Sequence, residues 1–252
     1  MPEHAPVQQL HPRAAEARDL DDRALLEAYH HAPGVLRANF VATVDGSSST
    51  EGAPGQLGGD ADRRVFGLLR RLCDVVLVGA GTARDAGYGP LVLGDASARW
   101  RTERGDPAHP VLALASRSLR LDPTAPLFRD APVRPVVLTV ASAPDERRAA
   151  LADVADVVDC GDDEIDVARL RRVLADRRLH RVLCEGGPSL LGELVAADAV
   201  DELCLTVAPK LEGGLAPRIA TRDGAPVALR DLDLARVLVS DGTLLTTWRR
   251  RR

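Results

Sequence analysis

Short apolar runs alternate with stretches of helical periodicity from about residue 35 onward. Residues 36–44 read as a strand, closed by an Asp45-Gly46 turn. Gly and Ser then dominate 46–59, which reads as a loop. In 60–72 the apolar positions Val65, Leu68, Leu69 and Leu72 recur at helical spacing. Continuous apolar runs at 75–78, 111–115, 136–140, 154–158, 181–184 and 203–207 read as strands. Helices are predicted over 144–151, over 166–176 with Val167, Leu170, Val173 and Leu174 inward, and over 189–197. Residues 87–110 read as a polar loop, and 237–239 with 244–248 as an antiparallel strand pair. Residues 1–33 read as an N-terminal extension with one short helix through Ala24 to Tyr29, capped by Asp21 or Asp22 and ended by Pro33-Gly34. Apolar strands alternating with helices predict one α/β domain over 34–252. Its central sheet should be mostly parallel, with helices on both faces. No internal repeat or linker-like break divides it.

Composition narrows the classes. The chain has 252 residues, 45% hydrophobic and 28% charged, enough for a full core. Of its 33 basic residues only Lys210 is Lys, Asn39 is the only Asn, and Ile occurs only at Ile165 and Ile219. This pattern reads as a bias toward GC-rich codons, so most arginines carry no functional message. The formal charge of −4 leaves no basic footprint for nucleic acid. No apolar run reaches the roughly 18 residues that would span a bilayer, and the N-terminus lacks a signal pattern. Cys73, Cys160, Cys184 and Cys204 are widely spaced and read as small buried hydrophobes in a reducing compartment. The six His show no metal-ligand spacing, so no metal is expected. A soluble cytoplasmic protein follows, with no nucleic-acid or membrane partner.

Two Gly-rich turns follow two of the predicted strands: Val78-Gly79-Ala80-Gly81-Thr82 and Glu185-Gly186-Gly187-Pro188-Ser189. In a parallel sheet both lie at carboxyl ends of strands, where helix N-termini attract phosphate and Gly admits a ligand closely. They suit a dinucleotide, or are ordinary strand-to-helix turns. They are not a Rossmann fingerprint, because Arg84 stands where the third Gly belongs, and no Walker A loop is present. Ser116-Arg117-Ser118, at another strand end, suits a phosphate monoester such as the 2′-phosphate of NADPH. Glu185 either hydrogen-bonds a substrate or simply complements a helix N-terminus. Asp45 and Asp74 read as turn or cap residues. Asn39 and Thr43, four apart, share one face of the first long strand.

Together these stretches resemble the pyrimidine reductase (RibD C-terminal) family of riboflavin biosynthesis, with its dihydrofolate-reductase-like fold. The resemblance covers about residues 36–248. It runs through Asn39 to Gly46, Leu69-Arg70, Asp74 to Thr82, Ser116-Arg117, Glu185 to Leu191, Val200 to Pro209 and Gly213-Gly214. It implies NADPH-dependent reduction of a ribosylamino side chain on a pyrimidine 5′-phosphate to ribitylamino. Hydride would pass to C1′ of an open-chain imine, without a dedicated strong base. By resemblance, Thr82, Ser116 and the segment Gly186, Gly187, Pro188, Ser189, Leu190 and Leu191 would line the NADPH site. Glu185 would face the substrate, Arg70 would help hold its phosphate, and Asn39 and Thr43 would point into the same pocket; Asn39 and Glu185 are the catalytic candidates. A homodimer is the family's usual state. Three departures stand out. Asn39 replaces the Lys usual in reductases fused to a deaminase; the deaminase motifs are absent; and the stretch after Gly89 lacks a substrate-binding Arg, whose place Arg99 or Arg101 would have to take. The alternatives are a paralogue that reduces dihydrofolate, a pterin or another heterocycle, and a non-catalytic NADPH-binding regulator.

Overall fold

A computed structural model describes residues 6–12, 19–48, 57–224 and 227–251. Chain order begins with β1 (Gln8–His11), α1 (Asp22–Ala28), β2 (Leu36–Thr43), α2 (Asp60–Leu72), β3 (Val75–Gly79) and α3 (Ala80–Asp85). It continues with α4 (Asp95–Thr102), β4 (Val111–Ala115), α5 (Pro126–Arg129), β5 (Val136–Thr139), α6 (Asp145–Ala152) and β6 (Asp156–Asp159). It closes with α7 (Val167–Asp176), β7 (Val182–Gly186), α8 (Pro188–Ala196), β8 (Glu202–Ala208), β9 (Leu232–Ser240) and β10 (Thr243–Arg250).

The strands form one sheet in the order β1-β9-β10-β8-β2-β7-β3-β4-β5-β6. From β8 to β6 every neighbour is parallel, whereas β10, β9 and β1 join antiparallel. This is the mostly parallel α/β sheet with an antiparallel C-terminal pair that the apolar runs predict. Strand alternation sorts the core into two layers. Val76, Val78, Leu112, Leu114 and Val137 pack on one face with Leu25 of α1 and Leu68, Leu69 and Leu72 of α2. Val75, Leu77, Ala113, Val136 and Leu138 pack on the other with Leu170 and Leu174 of α7 and Leu194 of α8. Leu69, Leu77 and Leu114 are fully buried, each burial contributing about 1.5–3 kcal/mol.

The fold departs from the periodicity in several places, and the short helices α3 and α5 form where no helix is predicted. The predicted loop 87–110 contains α4, whose buried residue is the charged Arg101, so no apolar stripe marks it. The C-terminal strands are longer than their apolar centres, because Leu232, Asp233 and Leu234 remain exposed on β9. The residues read as an N-terminal extension contribute structure to the same body: β1 pairs with β9, and Leu25 and Tyr29 enter the core. Asp21 caps α1 by accepting from Ala24 N at 2.8 Å. Arg37 fastens this segment. Its guanidinium donates to Glu202 Oε2 at 2.7 Å and to the carbonyls of Tyr29 and His30 at 2.8 Å. Burial, with Arg37 adding to it, pulls the neighbouring His31 down to about 3, so this imidazole is neutral.

Candidate active site

The carboxyl ends of β3 and β7 meet at the centre of the sheet, and the two Gly-rich turns close on each other there. An added Cβ on Gly187 would lie 2.0 Å from Thr82 Oγ1, and one on Gly79 would lie 3.4 Å from Gly187 N. Gly186 sits at φ +114, a conformation that side-chain-bearing residues rarely adopt. The turns therefore need glycine for their mutual approach. Each leads directly into a helix, α3 at Ala80 and α8 at Pro188.

A cavity of about 660 Å³ opens on one side of the turns. β2 contributes Asn39 and Phe40, and α2 contributes Asp62, Phe66 and Arg70. Thr82, Tyr88, Glu185, Gly186, Gly187 and Pro188 complete its inner wall, and Arg63 stands at the rim. A second cavity of about 850 Å³ lies on the far side, lined by Gly81, Arg84, Ser116, Arg117, Ser118, Arg120 and Ser142, with the Asp163 carboxylate also at its wall. Three guanidinium groups and three hydroxyls there form a donor set suited to phosphate.

At the bottom of the first cavity, the Glu185 carboxylate is held from two sides. Arg70 donates from Nε at 2.7 Å and from Nη2 at 2.6 Å, a bidentate pair, and the Tyr88 hydroxyl donates at 2.9 Å. Arg70 also lies over the Phe66 ring, 4.3 Å from its centroid. Burial lowers the Arg70 pKa, but the hydrogen bonds and charge of Glu185 outweigh it, so the guanidinium is held charged. Burial and then the Glu185 charge push the Tyr88 phenol up, so it stays a donor. Asp62 is different. Burial raises its pKa against the opposing Thr206 hydroxyl bond at 2.6 Å.

The expected site residues divide as follows. Asn39, Arg70, Thr82, Glu185, Gly186, Gly187 and Pro188 converge on the first cavity, and Gly81, Ser116 and Arg117 on the second. Val78 and Leu191 point into the core, so only their backbone is near the turns. Leu190 packs against Gly79, Ser189 is exposed, and neither lines a cavity. Thr43 does not reach the pocket beside Asn39. Its hydroxyl bonds the Asp45 carboxylate and accepts from Ser47 N at 2.9 Å, which draws it into the turn. Asp45 sits in the turn after β2 and accepts from Gly213 N at 2.8 Å, whereas Asp74, expected as a turn or cap residue, instead accepts from the backbone of His180 and Arg181 across the sheet. Arg101 takes no ligand role: it is buried and donates to the carbonyls of Pro107, Arg71 and Cys73. Arg99 is exposed and lines neither cavity. Burial pushes Cys73 and Cys184 up to about 12 and Cys160 and Cys204 to about 11, so all four are unreactive thiols. No metal-binding cluster occurs among the described residues.

Asp62, Phe66, Tyr88 and Arg63 escaped the sequence reading. The first two had a signal. Asp62, Phe66 and Arg70 are spaced i, i+4, i+8 along α2, beside the apolar stripe that faces the core.

The RibD C-terminal domain model matches residues 35–245. The chain belongs to the RibD C-terminal domain family. It is 32% identical over 180 residues to the 2,5-diamino-6-ribosylamino-4(3H)-pyrimidinone 5′-phosphate reductase of Methanothermobacter thermautotrophicus, covering 70% of this chain and 78% of that one. The protein of the same name from Archaeoglobus fulgidus is 27% identical, over 70% and 80% of the two chains. A pyrimidine reductase-like protein from Corynebacterium diphtheriae superposes with a TM-score of 0.81 at 29% identity, over 87% of this chain and 92% of that one. As a RibD C-terminal domain, the chain is an oxidoreductase of the pyrimidine reductase class. Its class is consistent with a nicotinamide cofactor.

Proposed function

We propose that this protein catalyses NADPH-dependent reduction of the ribosylamino side chain of a pyrimidine 5′-phosphate to ribitylamino in riboflavin biosynthesis. One observation carries the reading: the two glycine turns close on each other between a cavity rich in phosphate donors and a cavity lined by aromatic rings and carboxylates. That division suits a dinucleotide laid across the turns with its reactive ring toward the first cavity.

The residues present fit NADPH. Ser116, Arg117 and Arg120 would hold its extra phosphate, and Gly81, Thr82 and Gly187 would cradle the diphosphate. Bound NADPH supplies the hydride. The chain's own residues do the rest by placement. Phe66 and Phe40 offer apolar walls for a flat pyrimidine, and Asn39 offers an amide to the ribosyl chain. Glu185 faces that chain as a hydrogen-bond acceptor whose orientation Arg70 and Tyr88 fix. Arg63, at the rim, stands in for the phosphate-binding arginine absent after Gly89; Arg70 adds its remaining amino group. The protein works as a cytoplasmic homodimer, with Leu232, Leu234 and Leu244 exposed on the antiparallel strands as apolar surface for the contact.

The test is NADPH oxidation by the purified chain with 2,5-diamino-6-ribosylamino-4(3H)-pyrimidinone 5′-phosphate, with NADH and dihydrofolate as controls. We expect turnover that requires the pyrimidine and favours NADPH. Turnover with dihydrofolate only would overturn the pyrimidine reading. Tight NADPH binding without turnover of any substrate would overturn the enzymatic one.

A further inference from the structure

The family match begins at residue 35, yet the segment ahead of it is built into the body. Val7 and Leu25 are fully buried, and Tyr29 is nearly so. That burial keeps α1 docked, and hydrogen bonds at its two ends fix where it sits. At its start, Arg64 of α2 donates from Nε to Asp22 Oδ1 at 2.7 Å and from Nη2 to the Leu20 carbonyl at 3.2 Å. The Arg64 side chain is 15% exposed, so water competes little for these bonds. At its end, Arg37 of β2 donates to the carbonyls of Tyr29 and His30. The two elements that α1 joins both wall the first cavity. β2 supplies Asn39 and Phe40, and α2 supplies Asp62, Phe66 and Arg70.

Of these two elements, β2 is the fixed one. It lies inside the sheet between β8 and β7, and Arg37 is anchored a second time on the buried Glu202. The C-terminal end of α2 is fixed as well, because Arg101 clamps the carbonyls of Arg71 and Cys73. Its N-terminal half starts from a weaker position: the helix opens at Gly59 with no side-chain cap bond. Thr206 holds Asp62 toward the sheet. Arg64, two residues from both Asp62 and Phe66, leaves the helix on the side away from them. There α1 backs the helix.

We infer that α1 is a splint between β2 and the N-terminal half of α2, with Arg64 as the positioning residue, and that it sets the affinity of the first cavity for the pyrimidine substrate. This rests on the reductase reading above. Arg64 touches no ligand; it acts by holding the row Asp62, Phe66 and Arg70 at its distance from Asn39. A small displacement of such a row weakens every contact made across the cavity. The second cavity has no lining residue from α1, α2 or β2, so the splint leaves the phosphate donors of the cofactor site untouched. A loss of stability alone carries no such selectivity.

The experiment measures two affinities of the full chain by titration calorimetry. One is for NADPH. The other is for 2,5-diamino-6-ribosylamino-4(3H)-pyrimidinone 5′-phosphate with NADP+ present, which binds without turnover. Arg64→Met keeps the apolar stem and should raise the pyrimidine Kd about 3- to 10-fold while changing the NADPH Kd by less than about 1.5-fold. Asp22→Asn, at an exposed position that the fold tolerates, should shift the pyrimidine Kd the same way by about twofold. Leu174→Val weakens the core on the opposite face of the sheet and should leave both affinities unchanged. An unchanged pyrimidine Kd in Arg64→Met, a loss shared equally by NADPH, or the same selective loss in Leu174→Val overturns the role of α1 and leaves the reductase reading standing. Failure of wild type to bind and reduce the pyrimidine overturns the reductase reading, and the inference with it.

Discussion

Arg70→Met separates the two demands on the Arg70–Glu185 pair, stability and chemistry. The Glu185 side chain is 1% exposed and that of Arg70 is 24% exposed, so the variant leaves a carboxylate deep in the protein with only the Tyr88 hydroxyl. Removing one partner of a buried ion pair typically costs about 3–5 kcal/mol. The open side of Arg70 places this pair at the lower end, about 3 kcal/mol. Giving up the guanidinium stacked on Phe66 adds little, since a methionine sulfur against the ring recovers much of that attraction. For a chain of this size about 3 kcal/mol corresponds to a fall of roughly 6–12 °C in Tm. The assay is urea and thermal unfolding followed by circular dichroism at pH 7, on Arg70→Met, Glu185→Gln and the double variant. Because the penalty comes from an unpaired charge, the double variant should recover at least about 1.5 kcal/mol relative to the summed singles. Both singles should also lose kcat/KM, and the double should not regain it, since Glu185 itself is then gone. Additive destabilisation, or a loss below about 1 kcal/mol in Arg70→Met, would refute the reasoning.

Further predictions test the turns, the second cavity and the acid behaviour. Gly187→Ala should raise the Kd for NADPH at least about 10-fold by titration calorimetry, because its Cβ would collide with Thr82 Oγ1 at 2.0 Å. Unchanged affinity would show that the turn is not a cofactor cradle. Arg117→Ala should raise the KM for NADPH about 10-fold and leave that for NADH unchanged, since one charge-assisted hydrogen bond is worth roughly 1.5–3 kcal/mol. An equal effect on both cofactors would remove Arg117 from the discrimination. Asp45 is held down to about 2 by the Thr43 hydroxyl first and then by Gly213 N. A depressed carboxylate stabilises above its unfolded value of 3.8, and that contribution fades as pH falls through about 2. The protection factors of the Glu212 and Gly213 amides against exchange should therefore fall between pH 4 and pH 2 before those of the sheet amides do, and Asp45→Ala should show the lowered protection already at pH 7.

The two glycine turns were readable because they need no tertiary knowledge. An apolar strand followed by Gly-x-Gly or Gly-Gly carries its own meaning, and both lie where the pattern put them. Asn39 was readable through the resemblance, which puts it in the pocket; its being the only Asn merely drew notice to it. Asp62 and Phe66 were hidden by a habit of reading helices for their apolar stripe. The stripe Ala61, Val65, Leu68, Leu69 and Leu72 explains why α2 forms, and it draws attention away from the adjacent row that faces the cavity. Tyr88 follows α3 in irregular chain, where no period announces a contact. Its bond to Glu185 closes a separation of 97 residues that only the sheet order can create. Thr43 failed for the opposite reason. Strand alternation put it on the face of Asn39, but the Asp45 turn offered its hydroxyl a nearer partner and took it.

The arginines show most clearly what position adds to composition. In sequence, Arg70, Arg101 and Arg117 look alike, because a bias that fills basic positions with arginine removes the contrast with Lys. In the fold their fates follow from what surrounds the fork of donors. Arg101 finds three carbonyls around the end of α2 and becomes a structural clamp with no donor aimed at either cavity. Arg37 finds a buried carboxylate and two carbonyls and becomes the fastening for α1. Arg117 meets only the exposed Glu164, an ion pair that water screens and a phosphate can displace at small cost. Arg70 lies between these limits, committed to Glu185 through two nitrogens and open to the cavity through the third. An arginine's availability to a ligand is thus set by the partners it would have to leave. By that measure Arg117 and Arg63 can turn fully to a phosphate, Arg70 only in part, and Arg101 not at all.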